Sequence, residues 1–103
     1  MQFSKYAFTV FTVTVADPGV FTSTAHELYT DDTLVLETTG AMPTGLAVKT
    51  TYYVVYNGIT ANTFQLATSK GGTPIVTTGT QSGAHSYLKT NRARLIPNTE
   101  SNK

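Results

Sequence analysis

The chain has 103 residues, no cysteine, a formal net charge of +1 and only 13% charged residues. That length fits one domain, and the missing cysteines exclude disulfides, thiolate chemistry and zinc ribbons. The near-neutral charge excludes a whole-chain field of the kind that draws proteins to nucleic acid or anionic membranes.

No apolar run approaches the roughly 20 residues of a bilayer-spanning helix. Met1–Lys5 lead into alternating residues instead of an apolar block, so the start does not read as a signal peptide. Threonine fills many positions that lysine and glutamate usually take. Its branched β-carbon suits a pleated, half-exposed surface, but such a surface is poorly defended against edge-to-edge pairing. It fits a protein covered by neighbours, and equally one whose strands simply fold well.

No segment shows helical spacing, and strands alternate with turn signals along the chain. A long first strand is predicted within 5–16, over Tyr6–Val15. Phe8 and Val10 share one parity there, while Phe11, Val13 and Val15 share the other. This switch predicts a bulge near Val10–Phe11 or burial of both faces. Asp17-Pro18-Gly19 marks a turn, followed by a strand over Val20–His26 and a loop at Tyr29–Asp32. Thr33–Thr38 is the third strand, with Leu34 and Leu36 on one face, and Gly40–Leu46 an irregular loop. Thr51–Tyr56, all β-branched or aromatic, carries the clearest strand signal, and Asn57-Gly58 the hairpin signal after it. Thr63–Ala67, Ile75–Thr77 and His85–Leu88 complete the set, with turns at Lys70–Pro74 and Gly79–Gly83. The expectation is an all-β domain of about seven short strands, a small antiparallel barrel or sandwich. It spans 1–88, with extended N- and C-terminal arms.

From Lys89 the pattern stops. Residues 89–103 read as a basic arm holding four of the seven basic residues, Lys89, Arg92, Arg94 and Lys103, with a formal charge of +3 after Glu100. The arm is either a solvated tail or a segment that docks on an acidic neighbour; nucleic acid is a third option.

His26, Asp31 and Asp32 lie close together and invite a metal-site reading, completed by His85 if strand ends meet. Two carboxylates and one imidazole form an incomplete set, and the plainer reading makes them turn formers. No nucleophile elbow or ordered base supports a hydrolytic Ser-His-Asp arrangement. Gly71-Gly72 is not a phosphate loop, since no helix follows. Tyr52, Tyr53 and Tyr56 suit a stacking platform, although tyrosines in strands more often pack. Nothing points to catalysis, a metal or a cofactor.

Three pieces from Val20 to about Tyr87 resemble a β-module of bacteriophage virion proteins. Ala25-His26-Glu27-Leu28 with Asp31-Asp32-Thr33-Leu34-Val35-Leu36 is similar to that module's His-Gly-Leu and Gly-Asp-x-Val strand start. Thr38–Leu46 followed by Thr50–Val55 resembles its Gly-x-Leu-Pro-x-Gly-Leu and Thr-x-Tyr-Tyr-Val core. Ala61–Ala67 with Gly71-Gly72-Thr73-Pro74-Ile75 resembles its Asn-Thr-Phe-x-Leu and Gly-Gly turn. Glu27 and Asp31 depart from the pattern, standing where the module tends to have glycine.

The resemblance implies a virion location, in tail, fibre or head-surface proteins, and no catalysis. Size favours a head decoration or cement protein that binds the capsid surface, on major capsid or other virion proteins, through strand edges and terminal arms, and itself oligomerises as a dimer or trimer, without nucleic acid or membrane. Specific contacts are expected in 1–16 and 89–103, at Phe3, Tyr6, Lys89, Arg92, Arg94, Leu95 and Ile96. The alternatives are a tail or fibre-associated adsorption protein that contacts a host glycan through Tyr53, Tyr56 or the Gly40–Leu46 loop, and a nucleic-acid-binding barrel.

Overall fold

The computed structural model describes residues 8–90. Six strands form a closed antiparallel barrel. They are β1 (Thr9–Val13), β2 (Phe21–Thr22), β3 (Thr33–Thr38), β4 (Thr51–Val55), β5 (Thr63–Ala67) and β6 (His85–Lys89). The order around the barrel is β1-β2-β5-β4-β3-β6. Closure gives every strand a neighbour on both sides, although β1 pairs with β6 over Thr9–Phe11 and with β2 only over Thr12–Val13.

Alternation decides what lies inside. Phe11, Val13, Phe21, Leu34, Leu36, Tyr52, Val54, Phe64, Leu66 and Tyr87 fill the interior with Leu28. Phe21 stacks on Phe64 at 5.3 Å, and Phe11 meets Phe21 at 5.4 Å and Tyr87 at 6.1 Å. Such offset and tilted pairs add to the burial energy of each ring.

β3 and β5 run over the residues the alternation predicts, and β4 stops one residue short. The other strands differ. The second is only Phe21–Thr22, because the chain leaves the ladder where Ser23 turns its hydroxyl to the Val10 carbonyl at 3.0 Å. Ile75–Thr77 forms no strand. It instead straps the barrel with single bonds, Ile75 N–H to the Leu66 carbonyl and Thr77 N–H to the Ala16 carbonyl, both in the range of 2.9–3.0 Å.

The parity switch in β1 has neither of its expected causes. The β1 register continues without a bulge from Thr9–Phe11 against β6 to Thr12–Val13 against β2. Phe8 and Val10 are simply exposed on the outer wall, Val10 at 67%.

With six alternating strands, β1, β3 and β5 run one way and β2, β4 and β6 the other. One pole, here the far pole, holds the β1–β2, β3–β4 and β5–β6 connections. The other, the terminal pole, holds loops 23–32 and 56–62 together with the start of β1 and the end of β6. At the far pole, Met42, Leu46 and Ile75 pack against the core. Bridges Ala41–Ser82 and Thr44–Thr78 tie the Gly40–Leu46 loop down. Gly83 there has φ +79°, and a Cβ on it would come within 2.5 Å of the Gly40 nitrogen. Two chains therefore cross backbone to backbone at this point.

Candidate functional site: the terminal pole and the outer face of β1

The terminal pole is built on a buried carboxylate. Tyr29–Asp32 form a turn closed by Asp32 N–H to the Tyr29 carbonyl at 3.0 Å, with Asp31 at φ +75°. Asp31 N–H donates to the Val54 carbonyl at 2.7 Å, and Val54 N–H donates to the Asp32 carbonyl at 2.8 Å. Two residues thus oppose one, a bulge whose left-handed first position usually calls for glycine. Asp32 is 1% exposed. Its Oδ2 accepts the Tyr29 N–H at 2.9 Å and lies 3.3 Å from Lys89 Nζ, whose side chain is 24% exposed. The pair ties the loop before β3 to the end of β6. Beyond it, Thr90 N–H donates to the Thr33 carbonyl at 2.8 Å, and the two threonine hydroxyls bond at 2.7 Å.

Loop 23–32 holds three of the four non-glycine residues with positive φ among the described residues: Ala25 (52°), Glu27 (56°) and Asp31 (75°). Each costs on the order of 1 kcal/mol and persists because neighbours fix it. Ala25 N–H donates to Asn62 Oδ1 at 2.9 Å, and Leu28 N–H to His26 Nδ1 at 2.8 Å. His26 Nε2 then donates to the Thr63 carbonyl at 3.0 Å. The ring stands edge-on to Phe64 at 5.1 Å. On this rigid mount Tyr29 is 63% exposed, and Tyr56, at the start of the facing loop, is 78% exposed. Glu27, Asp31, Asn57 and Thr60 are exposed around them.

The second surface is the outer wall of β1. Exposed Phe8 and Val10 adjoin an open, mainly apolar groove of about 390 Å³ between Val10–Val13 and Gln81–His85. The floor is held by a neutral relay. Gly40 N–H donates to Thr38 Oγ1 at 3.1 Å, and that hydroxyl donates to His85 Nδ1 at 2.8 Å. His85 Nε2 donates to Gln81 Oε1 at 2.8 Å, and Gln81 Nε2 donates to the Val13 carbonyl at 2.7 Å. Burial pushes the His85 imidazole below its usual pKa, because the charged form would lose its water.

The sequence-expected contact residues fall in two groups. Phe3, Tyr6, Arg92, Arg94, Leu95 and Ile96 lie outside the described residues. Lys89 lies inside the barrel: β6 runs through it, and its ammonium pairs with Asp32. The barrel therefore extends past the boundary expected at 88, and Lys89 braces the fold. His26, Asp31 and Asp32 are neighbours without a common focus, since both ring nitrogens of His26 and the Asp32 carboxylate are engaged elsewhere. Among the described residues no group of three or more His, Asp or Glu side chains could hold a metal ion.

Of the three tyrosines on β4 and its exit, Tyr52 is core and accepts the Ala47 N–H at 2.8 Å, Tyr53 is half-buried and Tyr56 projects. Tyr29 was not singled out by the sequence. The available signal was an aromatic residue between loop formers, with no alternating partner to bury it. No family model, no curated protein and no solved structure matches this chain.

Proposed function

We propose that this chain is a non-enzymatic structural protein of a bacteriophage virion, a head decoration or cement subunit that binds capsid proteins through its terminal pole and the outer face of β1. One observation carries the binding reading. The closed barrel sets two exposed tyrosines and the roots of both terminal segments on a single pole, beside the apolar outer strip of β1. Exposed tyrosines on a rigid support give contact area at low entropic cost.

The virion assignment rests on the sequence resemblance, and the residues that carry it have structural work to do. Glu27 and Asp31, where the module tends to have glycine, both adopt the left-handed conformation that glycine favours. Asp32 caps the turn before β3, Asn62 caps Ala25, and Phe64, Tyr52 and Val54 fill the core.

The test incubates labelled protein with particles that lack it and images them. Full-length protein decorates the particles. A chain ended after Thr90, and separately Tyr29→Ala/Tyr56→Ala, lose occupancy at least tenfold with an unchanged far-ultraviolet circular dichroism spectrum. Wild-type occupancy by both variants overturns the surface assignment, and failure of the full chain to bind any particle overturns the decoration role. Tyr56, at 78% exposure, also supports a second reading, a tail-associated protein that stacks a host glycan. Specific signal on a glycan array without decoration of heads selects it.

A further inference from the structure

We propose that Asn57 is a site of spontaneous modification, where the Gly58 nitrogen attacks the side-chain amide, ammonia leaves and water returns the residue as aspartate or isoaspartate, under restraint by Gln65.

The turn supplies the reacting atoms. Residues 56–59 form a turn closed by the Ile59 N–H, which donates to the Tyr56 carbonyl at 3.2 Å. Asn57 and Gly58 are its two central residues, and both are exposed. Gly58 has φ +76° and no Cβ to shield its nitrogen. Its carbonyl accepts the Thr63 hydroxyl at 3.2 Å, whereas its N–H has no acceptor among the described residues. Of the five asparagines only Asn57 precedes a glycine. Asn62 precedes Thr63, whose branched Cβ crowds the corresponding nitrogen.

The step balances with water as co-reactant. A bond forms between Gly58 N and Asn57 Cγ, the Cγ–Nδ2 bond breaks, and the Gly58 amide proton leaves with the side-chain nitrogen as ammonia. Both partners sit in one short stretch of chain, so they react as if highly concentrated. Water then opens the cyclic imide. Cleavage between Cγ and the Gly58 nitrogen gives aspartate. Cleavage at the Asn57 main-chain carbonyl gives isoaspartate, with an extra methylene in the backbone.

Gln65 restrains the reaction. It is 7% exposed, and its Oε1 accepts the Asn57 Nδ2–H at 3.2 Å. A Cβ on Gly58 would collide with its Nε2, so the same amide packs on the Gly58 backbone. One buried side chain thus holds both reaction partners, and closing the imide requires the Asn57 amide to leave it. Either product adds a carboxylate and takes the formal net charge from +1 to zero. Isoaspartate also lengthens the backbone inside the turn, which re-aims the exposed Tyr56 of the terminal pole. The modification goes beyond the virion reading and is tested without any particle.

The experiment incubates the full chain in mildly alkaline buffer and follows tryptic peptide 50–70, which carries both Asn57 and Asn62. Mass spectrometry reads the change from amide to acid at each, and isoaspartyl methyltransferase labelling reads isoaspartate. Conversion at Asn57 is expected to run at least tenfold faster than at Asn62, with isoaspartate among the products. Gln65→Ala, its fold verified by circular dichroism, is expected to convert at least threefold faster than wild type. Wild type unfolded in urea is expected to do the same, and that measurement needs no variant to fold. Equal conversion at Asn57 and Asn62 overturns the site. A rate in Gln65→Ala or in urea no faster than that of the native chain overturns the restraint.

Discussion

Replacing Asp32 by alanine removes the charge on which the terminal pole is assembled. The buried carboxylate loses its Tyr29 N–H bond, a charge-assisted contact worth about 1.5–3 kcal/mol, and strands Lys89 at 3.3 Å. Breaking a fully buried ion pair from one side costs roughly 3–5 kcal/mol. Lys89 is partly exposed and can turn to solvent, which places Asp32→Ala near the lower end, about 3 kcal/mol. For a domain of this size that is a fall in Tm of about 12 °C or more. Asp32→Asn keeps an acceptor for Tyr29 and loses the charge, so it costs less, about 1–2 kcal/mol. Lys89→Met leaves the carboxylate buried without its cation and costs a similar amount. Urea unfolding followed by circular dichroism gives all three, and the Asp32→Ala/Lys89→Met double variant completes a cycle with a coupling of at least about 1 kcal/mol. A loss below 1 kcal/mol for Asp32→Ala, or additivity within about 0.3 kcal/mol, refutes the claim that this pair organises the pole.

Three further outcomes follow from the far pole. Thr77 is buried, its hydroxyl donating to the Thr14 carbonyl at 2.6 Å and accepting the Ala16 N–H at 3.0 Å. Thr77→Val is isosteric but orphans both groups and lowers the unfolding free energy by about 1–3 kcal/mol in urea titrations. Gly83→Ala meets both a φ of +79° and the Gly40 backbone; calorimetry should show a loss of at least about 1 kcal/mol, whereas alanine at Gly71, which faces open space, costs less despite its similar φ. His85 has a folded pKa held below its unfolded value of 6.5 by burial. The unfolded chain therefore binds the proton first as pH falls. Its contribution is complete above about 6.5 and is lost as pH drops through the folded value. His85→Gln should lose that component of the acid-side slope, as followed by urea midpoints between pH 7.5 and 5; an unchanged slope refutes it.

Where burial follows alternation, the sequence was legible: Leu34 and Leu36 in β3 and Phe64 and Leu66 in β5 point inward as their parity requires. The all-β class and the barrel alternative followed from the same periodicity. What alternation does not encode is which long-range partner a segment finds. Ile75–Thr77 has strand composition, but its backbone bonds are divided between Leu66 in β5 and Gly19 and Ala16 in the β1–β2 connection, so no continuous ladder forms. Val10 has core composition, yet closure leaves it outside. Lys89 looked like the first residue of a tail because nothing local shows that Asp32, 57 residues earlier, waits for it. The Asp pair was legible as a turn former, though not as two different residues, one supplying left-handed backbone and the other a buried acceptor.

An even number of alternating strands has a further consequence. Residues 8 and 90 leave the barrel on the same side, so the fold is an excursion that returns to its starting point. Cargo joined directly before Phe8 or after Thr90 would stand on one hemisphere, leaving the hemisphere that carries Thr77 and Gly83 clear. The barrel could likewise be spliced into a surface loop of another protein without forcing the two cut ends of that loop apart.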